Sequence, residues 1–149
     1  MIQQEIRKIF FVGLGGAGQR HLRIFKDLLP SSVEFSAYRS TGRTPLLNPD
    51  FSVSTETNFR KKFDLTLFNS LEDGLENEPD LIIIATPSSL HYEVAKKAAE
   101  SNINIFVEKP LCVNLNSIGK LEGLIEKNDL ITMVGYQMRF HPCIIRVKK

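Results

Sequence analysis

A cluster of glycines near the amino terminus constrains the fold of this chain more than any other feature. The segment Gly13-Leu14-Gly15-Gly16-Ala17-Gly18 directly follows the short apolar run 8–12 and directly precedes residues 19–29, which have apolar side chains at helical spacing. A strand, a glycine turn and a helix in this order begin a βαβ unit. Because the two strands of such a unit run in the same direction, the chain is expected to form a parallel sheet.

Apolar and helical segments alternate along the rest of the chain. Strands are predicted at 8–12, 33–38, 65–68, 81–85, 104–107 and 131–134, and helices at 19–29, 70–77, 90–101 and 115–128, with Ser70 and Asn114 as N-caps. Near-continuous apolar strands separated by single helices are typical of a parallel sheet with both faces covered. Right-handed crossovers then give an α/β, doubly wound fold with a mostly parallel sheet in three α/β/α layers.

One segment does not follow this alternation. Residues 40–64 are polar, contain Gly42, Pro45 and Pro49, and are longer than an ordinary connection between elements. We expect a loop there, with one short strand near 51–54.

Length and charge exclude several classes of protein. The chain has 149 residues, 42% of them hydrophobic, which suits one folded domain. Its 19 basic and 17 acidic side chains lack the positive excess of a nucleic-acid binder. No apolar run is long enough to span a membrane, and the first residues lack the pattern of a signal peptide. We therefore expect a cytoplasmic protein with no metal site, in which Cys112 and Cys143 are reduced, structural thiols.

The glycine turn has the spacing of a dinucleotide-binding turn. Gly13 permits the tight turn, Gly15 lets a pyrophosphate approach the backbone, and Gly18 lets the helix pack closely against the strand. Gly16 and Ala17 belong to the same turn, where the helix N-terminus offers free N–H groups and partial positive charge to phosphates. The alternative is a structural glycine turn without a ligand.

The residues after the second strand favour a cofactor that carries a 2′-phosphate. An NAD-binding turn usually has Asp or Glu about 20 residues further on, to bind the ribose 2′-hydroxyl. Here the strand is followed by Arg39 and Ser40, with Arg43 close behind. Because a guanidinium binds a phosphate dianion through two charge-assisted hydrogen bonds, the sequence favours NADP, with NAD as the other choice. Alternatively, Arg39 and Arg43 are solvated loop charges.

Four motifs, in order along the chain, resemble the amino-terminal half of the Gfo/Idh/MocA family of oxidoreductases. They are the glycine turn with His21, Ala85-Thr86-Pro87-Ser88-Ser89-Leu90-His91, Glu108-Lys109-Pro110-Leu111, and Gly135-Tyr136-Gln137-Met138-Arg139-Phe140-His141-Pro142. The resemblance implies a Rossmann domain that binds a nicotinamide cofactor, at residues 1–140. It implies that residues 141–149 begin the connection to a second α/β domain, which holds most of the substrate pocket and is absent from this chain.

The resemblance also implies the residues that carry the chemistry. Lys109 would lie beside the nicotinamide and the reacting carbon, and would exchange a proton with the substrate hydroxyl. Glu108 would orient Lys109 or help to position the cofactor. The alternative interpretation of Lys109 is an exposed lysine in a turn that ends a strand.

Other motif residues are expected to contact the cofactor or to hold its surroundings. Thr86 and Pro87 would lie along the diphosphate and the nicotinamide ribose, and His91 would fix their turn by hydrogen bonding. His21 is expected to serve in packing or capping. Gln137 stands where the family more often has Asn before Arg-Arg-Phe. It is still able to donate to the nicotinamide carboxamide, which leaves open which residue of this motif contacts the cofactor.

Together these features predict an NAD(P)-dependent oxidoreductase that transfers a hydride between the cofactor and a sugar, polyol or nucleotide-sugar derivative. The chain alone is expected to be incomplete for catalysis. Its expected partner is a carbohydrate-like small molecule, and a homo-oligomer is expected only of the full-length protein. The alternative is a catalytically silent module that binds or senses NADP(H). A Rossmann-like domain without any ligand is disfavoured by the intact glycine turn.

Overall fold

Six strands and six α-helices make up the computed structural model, which describes residues 5–40, 45–115 and 118–148. The strands are β1 (Lys8–Val12), β2 (Glu34–Tyr38), β3 (Thr66–Phe68), β4 (Leu81–Ile84), β5 (Asn104–Val107) and β6 (Thr132–Val134). The helices are α1 (Gly16–Leu28), α2 (Phe59–Phe63), α3 (Leu71–Glu76), α4 (Ser88–Glu100), α5 (Ile118–Lys127) and α6 (Pro142–Val147). A 3-10 helix spans Gln137–Phe140.

All strand pairs are parallel, and the sheet has the order β3-β2-β1-β4-β5-β6. The predicted doubly wound fold is therefore confirmed. β2 and β3 follow β1 toward one edge of the sheet, and β5 and β6 follow β4 toward the other edge. The direction in which strands are added therefore reverses between β1 and β4. Val12, the last residue of β1, is in register with Tyr38 of β2 and Ile84 of β4. The turns that follow these three strands consequently meet at one edge of the sheet, where doubly wound folds bind their ligands.

The core has two halves, one on each face of the sheet. Ile9 and Phe11 of β1 contribute to the half beneath α1 and α2, whereas Phe10 and Val12 contribute to the half beneath α3, α4 and α5. All four side chains are at most 2% exposed. Because successive strand residues point to opposite faces, a strand buried on both sides must be apolar at every position. This requirement explains the continuous apolar sequence of β1 from Ile9 to Val12.

The segment between β2 and β3 differs from the prediction in two ways. The expected strand near 51–54 is only an isolated antiparallel bridge between Leu47 and Val53. The unpredicted α2 follows it, and the Asn58 side chain caps this helix by accepting a hydrogen bond from the Lys61 backbone at 3.1 Å. A five-residue helix is too short to be stable by propensity alone. Burial of Phe59 and Phe63 in the core holds it in place.

Helix boundaries agree with the predictions to within a few residues. The predicted Ser70 cap of α3 is confirmed, because its hydroxyl accepts from the Asp73 backbone at 3.0 Å. The Asn114 cap stays a prediction, since residues 116–117 lie outside the described parts of the chain. Both cysteines are free thiols, and Cys143 is exposed rather than structural. Within the described ranges no helix is long and apolar enough to cross a membrane.

Candidate cofactor site

The turn after β1 can be formed only by glycine at two of its positions. Gly13 has a φ of +94°, and a Cβ atom at this residue would lie 2.6 Å from the carbonyl oxygen of Ala85. A Cβ atom at Gly18 would lie 2.1 Å from the carbonyl oxygen of Gly13. Both distances are shorter than any real contact of a Cβ atom. The first turn of α1 therefore packs directly against the backbone at the ends of β1 and β4.

The opposite side of this turn is open. Among the described residues, a Cβ atom at Gly15 would have no neighbour within 4 Å, so a ligand is able to approach the backbone closely there. Gly15 is the N-cap of α1 and has no side chain to satisfy the first N–H groups of the helix. Gly16 and the exposed Ala17 follow in the first turn. Free N–H groups at a helix N-terminus form a site for anions such as phosphate.

A crevice of about 510 Å³ lies over the ends of β1, β2 and β4. The glycine turn forms its floor, Arg39 and Ser40 line it after β2, and Thr86 and Pro87 line it after β4. The remaining wall is largely apolar and includes Tyr38, Leu71, Leu90 and Val94. The structure thus brings together predicted residues from three separate segments, namely two of the four motifs and the end of β2. Arg43 lies outside the described residues, so its predicted role stays a prediction.

Thr86 presents a buried polar atom that the chain leaves unsatisfied. Its Oγ1 atom is buried and has no hydrogen-bond partner among the residues that the structure describes. An unpaired buried hydroxyl costs about 1–3 kcal/mol. A ligand with polar oxygens in the crevice would remove this penalty. The hydroxyl, the open glycine backbone and the uncapped helix N-terminus together fit the diphosphate of a dinucleotide.

Arg39 is held against an aromatic ring at the rim of the crevice. Its Cζ atom lies 4.2 Å from the centroid of the Phe59 ring. Partial burial lowers the pKa of Arg39 from its ordinary value, and an arginine remains cationic in any case. The neighbouring Ser40 is exposed. A positive charge and a hydroxyl thus lie after β2, where an NAD-binding domain usually has Asp or Glu.

A second cluster lies at the end of β5, around the buried carboxylate of Glu108. Its Oε1 atom is 2.7 Å from Nε2 of His21 and 3.8 Å from Nη2 of Arg20, and its Oε2 atom accepts the backbone N–H of Lys109 at 3.2 Å. Burial by itself raises the pKa of Glu108. The hydrogen bond and charge of His21, the N–H of Lys109 and the charge of Arg20 outweigh this effect, so the pKa is lowered.

His21 therefore does more than pack. Its ring meets the ring of Phe106 edge-on at 5.1 Å, which is the expected packing, but it also pairs with Glu108. The pair joins α1 to the end of β5 across 87 residues of sequence. The pairing could not be predicted from the sequence. His21 and Glu108 belong to two different motifs, and that is the only sequence signal that relates them.

Lys109 follows Glu108 directly, in a turn that contains a cis Lys109-Pro110 peptide bond. Its side chain is exposed, and its backbone N–H is held by the Glu108 carboxylate. Gln137 is also exposed, at the start of the 3-10 helix. Neither residue lines the crevice over β1, β2 and β4. These two residues lie after β5 and β6, on the other side of the point where the strand order reverses.

His91 connects the turns after β4 and β5. It is 1% exposed, its Nδ1 atom lies 2.6 Å from the carbonyl oxygen of Pro110, and its Nε2 atom lies 2.9 Å from that of Thr86. Both partners are backbone carbonyl oxygens, which only accept hydrogen bonds. Both nitrogens are occupied by the backbone. The structure thus places His91 behind the crevice, where it holds the Thr86 turn, which lines the crevice, to the turn after β5.

Gln19 is a further residue that sequence reasoning missed. Its side chain is fully buried, and its Nε2 donates to the carbonyl oxygens of Leu14 and Pro45, both at 2.9 Å. Its Oε1 accepts the N–H of Leu47 at 2.7 Å. The amide thus attaches the segment 45–54 to the glycine turn. This segment carries the ring of Phe51, which would lie 3.5 Å from a Cβ atom at residue 16.

The strand order, together with a glycine turn at the point where that order reverses, defines a Rossmann-type α/β domain. A family model described as "Oxidoreductase family, NAD-binding Rossmann fold" matches residues 7–136. The chain belongs to this family, Gfo/Idh/MocA, and the resemblance found in the motifs is confirmed. Among the described residues no group of three or more His, Cys, Asp or Glu side chains is placed to hold a metal ion.

Two curated relatives illustrate the range of the family. The UDP-N-acetylglucosamine 3-dehydrogenase of Acidithiobacillus ferrooxidans is 32% identical over 72 residues, which are 48% of this chain and 23% of that protein. The 2,7-anhydro-N-acetylneuraminate hydratase of Mediterraneibacter gnavus is 29% identical over 138 residues, which are 93% of this chain and 33% of that protein. The chain thus aligns with a third or less of the length of either relative.

Solved structures show the same fold. The structure of the Acidithiobacillus dehydrogenase matches with a TM-score of 0.75 at 21% identity, covering 97% of this chain and 43% of that chain. The scyllo-inositol dehydrogenase of Lactobacillus casei, solved with bound NAD(H) and scyllo-inositol, matches with a TM-score of 0.76 at 21% identity. It covers 97% of this chain and 40% of that one.

Proposed function

We propose that this chain is the cofactor-binding domain of an NADP-dependent oxidoreductase that acts on a sugar, polyol or nucleotide-sugar derivative. The observation that carries the proposal is the crevice over β1, β2 and β4. There an open glycine backbone, the unsatisfied hydroxyl of Thr86 and the cation of Arg39 converge. These groups complement a dinucleotide that has a central diphosphate and a further phosphate on its adenosine ribose.

Each part of the crevice has a separate task in this proposal. The N-terminus of α1, at Gly15 and Gly16, binds the diphosphate, and the Thr86 hydroxyl donates a hydrogen bond to it. Arg39 and Ser40 bind the 2′-phosphate of the adenosine ribose. The apolar wall that includes Leu71 and Val94 excludes water from the base. Arg39 supports NADP over NAD, since NAD has no phosphate for it to bind.

Lys109 is the proposed catalytic residue. When bound, the nicotinamide cofactor supplies the hydride donor or acceptor of the reaction. The task of Lys109 is to hold or take, at Nζ, the proton of the substrate hydroxyl as the hydride moves. Glu108 anchors the Lys109 backbone through the N–H that its carboxylate accepts. Gln137 is proposed to orient the nicotinamide carboxamide, and residues beyond this chain are proposed to complete the substrate pocket.

The names of the relatives support the substrate class. The similar proteins include a dehydrogenase of a nucleotide sugar and a dehydrogenase solved with scyllo-inositol, a polyol. A hydratase of a sugar derivative also aligns along nearly the whole chain. All three names refer to compounds rich in hydroxyl groups, as expected for a reaction in which a hydroxyl loses or gains a proton.

Titration of the purified chain with NADPH and with NADH tests the proposal. Calorimetry should show tighter binding of NADPH, and Arg39→Asp should reverse the order, because a carboxylate repels the 2′-phosphate and accepts from a 2′-hydroxyl. Arg146→Asp, the same change of charge on an exposed part of α6, should leave both affinities unchanged. Equal affinities in the wild type would remove the case for NADP. Failure to bind either dinucleotide would remove the proposed function itself.

A further inference from the structure

Phe59 fixes the position of Arg39 and belongs to a part of the chain that no motif includes. It is the first residue of α2, is 5% exposed, and its ring lies against that of Phe63 at a centroid distance of 6.1 Å in the core. The guanidinium of Arg39 lies over the same ring, with Cζ 4.2 Å from its centroid. The cation at the rim of the crevice is therefore stacked on a ring that is buried and packed in the core.

Stacking on a ring fixes the direction in which an arginine can donate. A guanidinium is planar, and all of its N–H groups point outward in the plane. A ring beneath one face restricts the tilt of the plane, and so sets the direction in which its edges donate to a phosphate. An exposed arginine on a loop would instead have to lose its rotamer freedom each time it bound a ligand.

The helix that carries Phe59 is itself tied to the sheet. Asn58 caps its start, and the Arg60 side chain donates to the carbonyl oxygen of Leu67 in β3 at 3.2 Å. β3 in turn pairs with β2, the strand that ends just before Arg39. The helix that carries the ring is thus attached to β3, and the guanidinium follows the neighbouring strand β2. The fold therefore sets the position of the ring relative to the guanidinium.

We propose that Phe59 is a specificity-determining residue, which sets the preference for a 2′-phosphorylated dinucleotide by holding the plane of Arg39 at the rim of the crevice. This inference rests on the proposed function. Replacing the ring with an aliphatic side chain should weaken NADPH binding by about threefold to tenfold, in the range of a single cation–π contact. NADH binding should stay within about twofold, because that cofactor lacks the group that Arg39 binds.

The test compares Phe59→Leu with Phe63→Leu. The two substitutions remove the same ring from the same helix and the same core, but the ring on which Arg39 is stacked is that of Phe59. NADPH, NADH, 2′,5′-ADP and ADP are titrated against both variants and the wild type, with thermal unfolding as the measure of structural damage. Phe59→Tyr, which retains an aromatic face, should keep the wild-type preference. Phe59→Met, with a flexible side chain of similar size, replaces the leucine variant if that protein does not fold.

The expected result is a loss of preference for NADPH over NADH, and for 2′,5′-ADP over ADP, in Phe59→Leu alone. An unchanged preference in Phe59→Leu, or an equal loss in Phe63→Leu, would overturn the inference while leaving the proposed function in place. A wild type that binds NADPH and NADH equally would instead overturn the proposed role of Arg39. The two failures are therefore distinguished by the wild-type titration.

Discussion

The Nε2 atom of His21 lies 2.7 Å from the Oε1 atom of Glu108 and joins the first helix to the end of the fifth strand. The same carboxylate accepts the N–H of Lys109 through its other oxygen. The residue proposed to move protons is therefore attached, through one buried acid, to the helix that is proposed to bind phosphate. This arrangement has a measurable consequence for stability.

Glu108→Gln should reduce the loss of stability in acid. The fold lowers the pKa of Glu108 below its ordinary value of 4.5, so the carboxylate stabilises the native state fully at pH values above the unfolded pKa. That contribution is lost as the pH falls through the lower, native pKa. Urea unfolding between about pH 6 and pH 3 should therefore show a steeper decline for the wild type than for Glu108→Gln. Glu122→Gln, at an exposed glutamate of α5, is the control, and parallel curves for wild type and Glu108→Gln would contradict the prediction.

Gly13→Ala should destabilise the protein and abolish dinucleotide binding. The new Cβ would overlap the Ala85 carbonyl oxygen in a backbone conformation that disfavours side chains, at a cost of about 1–3 kcal/mol or more. Gly119→Ala in α5 is a matched control, since no other described residue has an atom within 4 Å of a Cβ atom there and alanine favours a helix by about 0.5–1 kcal/mol. Chemical unfolding should move in opposite directions for the two variants. Equal effects would show that the turn is able to accept a side chain.

Gln19→Leu should release the segment 45–54 from the glycine turn. Three hydrogen bonds of the buried amide would be lost, leaving the Leu47 N–H and two carbonyl oxygens without that partner. Each buried group left unpaired costs about 1–3 kcal/mol. Hydrogen exchange should show faster exchange at the Leu47 amide, while the Ile83 amide in the central strand stays protected. Unchanged protection at Leu47 would mean that other contacts hold the segment.

Lys109→Ala should separate binding from chemistry. In a protein that carries this domain together with its substrate domain, turnover should fall by about 10²–10⁴, the range for a lost general acid or base. NADPH affinity should change by no more than a few fold, because Lys109 does not line the crevice. Lys120→Ala on α5 serves as the control. Retained turnover would remove Lys109 from the mechanism. A complete protein that binds NADPH but turns over no sugar or polyol would favour the silent binding module.

The sheet and the glycine turn could be predicted because their signals are local. The part of β1 that is buried on both faces, residues 9–12, has to be apolar throughout, and the turn after it has to contain glycine where a Cβ atom would meet backbone. These requirements act on consecutive residues and are visible in any window of about ten. The resemblance of the motifs then added the expected family, which the family model confirms.

The polar contacts around the site could not be predicted, because they join residues far apart in the chain. Gln19 looks like an exposed polar position of a helix, and only the return of segment 45–54 makes it buried. His21 pairs with Glu108, which lies 87 residues further along the chain. The short α2 exists because Phe59 and Phe63 are buried against the sheet, and five residues carry too little local preference to indicate a helix.

His91 gives the two halves of the site a mechanical connection. A single rigid ring spans the distance between the carbonyl groups of Thr86 and Pro110, with no rotatable bond between the two contacts. A ligand that draws the Thr86 turn toward itself therefore also pulls on the backbone next to Lys109. Under the proposed function, the turn that contacts the cofactor and the turn that carries the proposed catalytic lysine thus share one buried support.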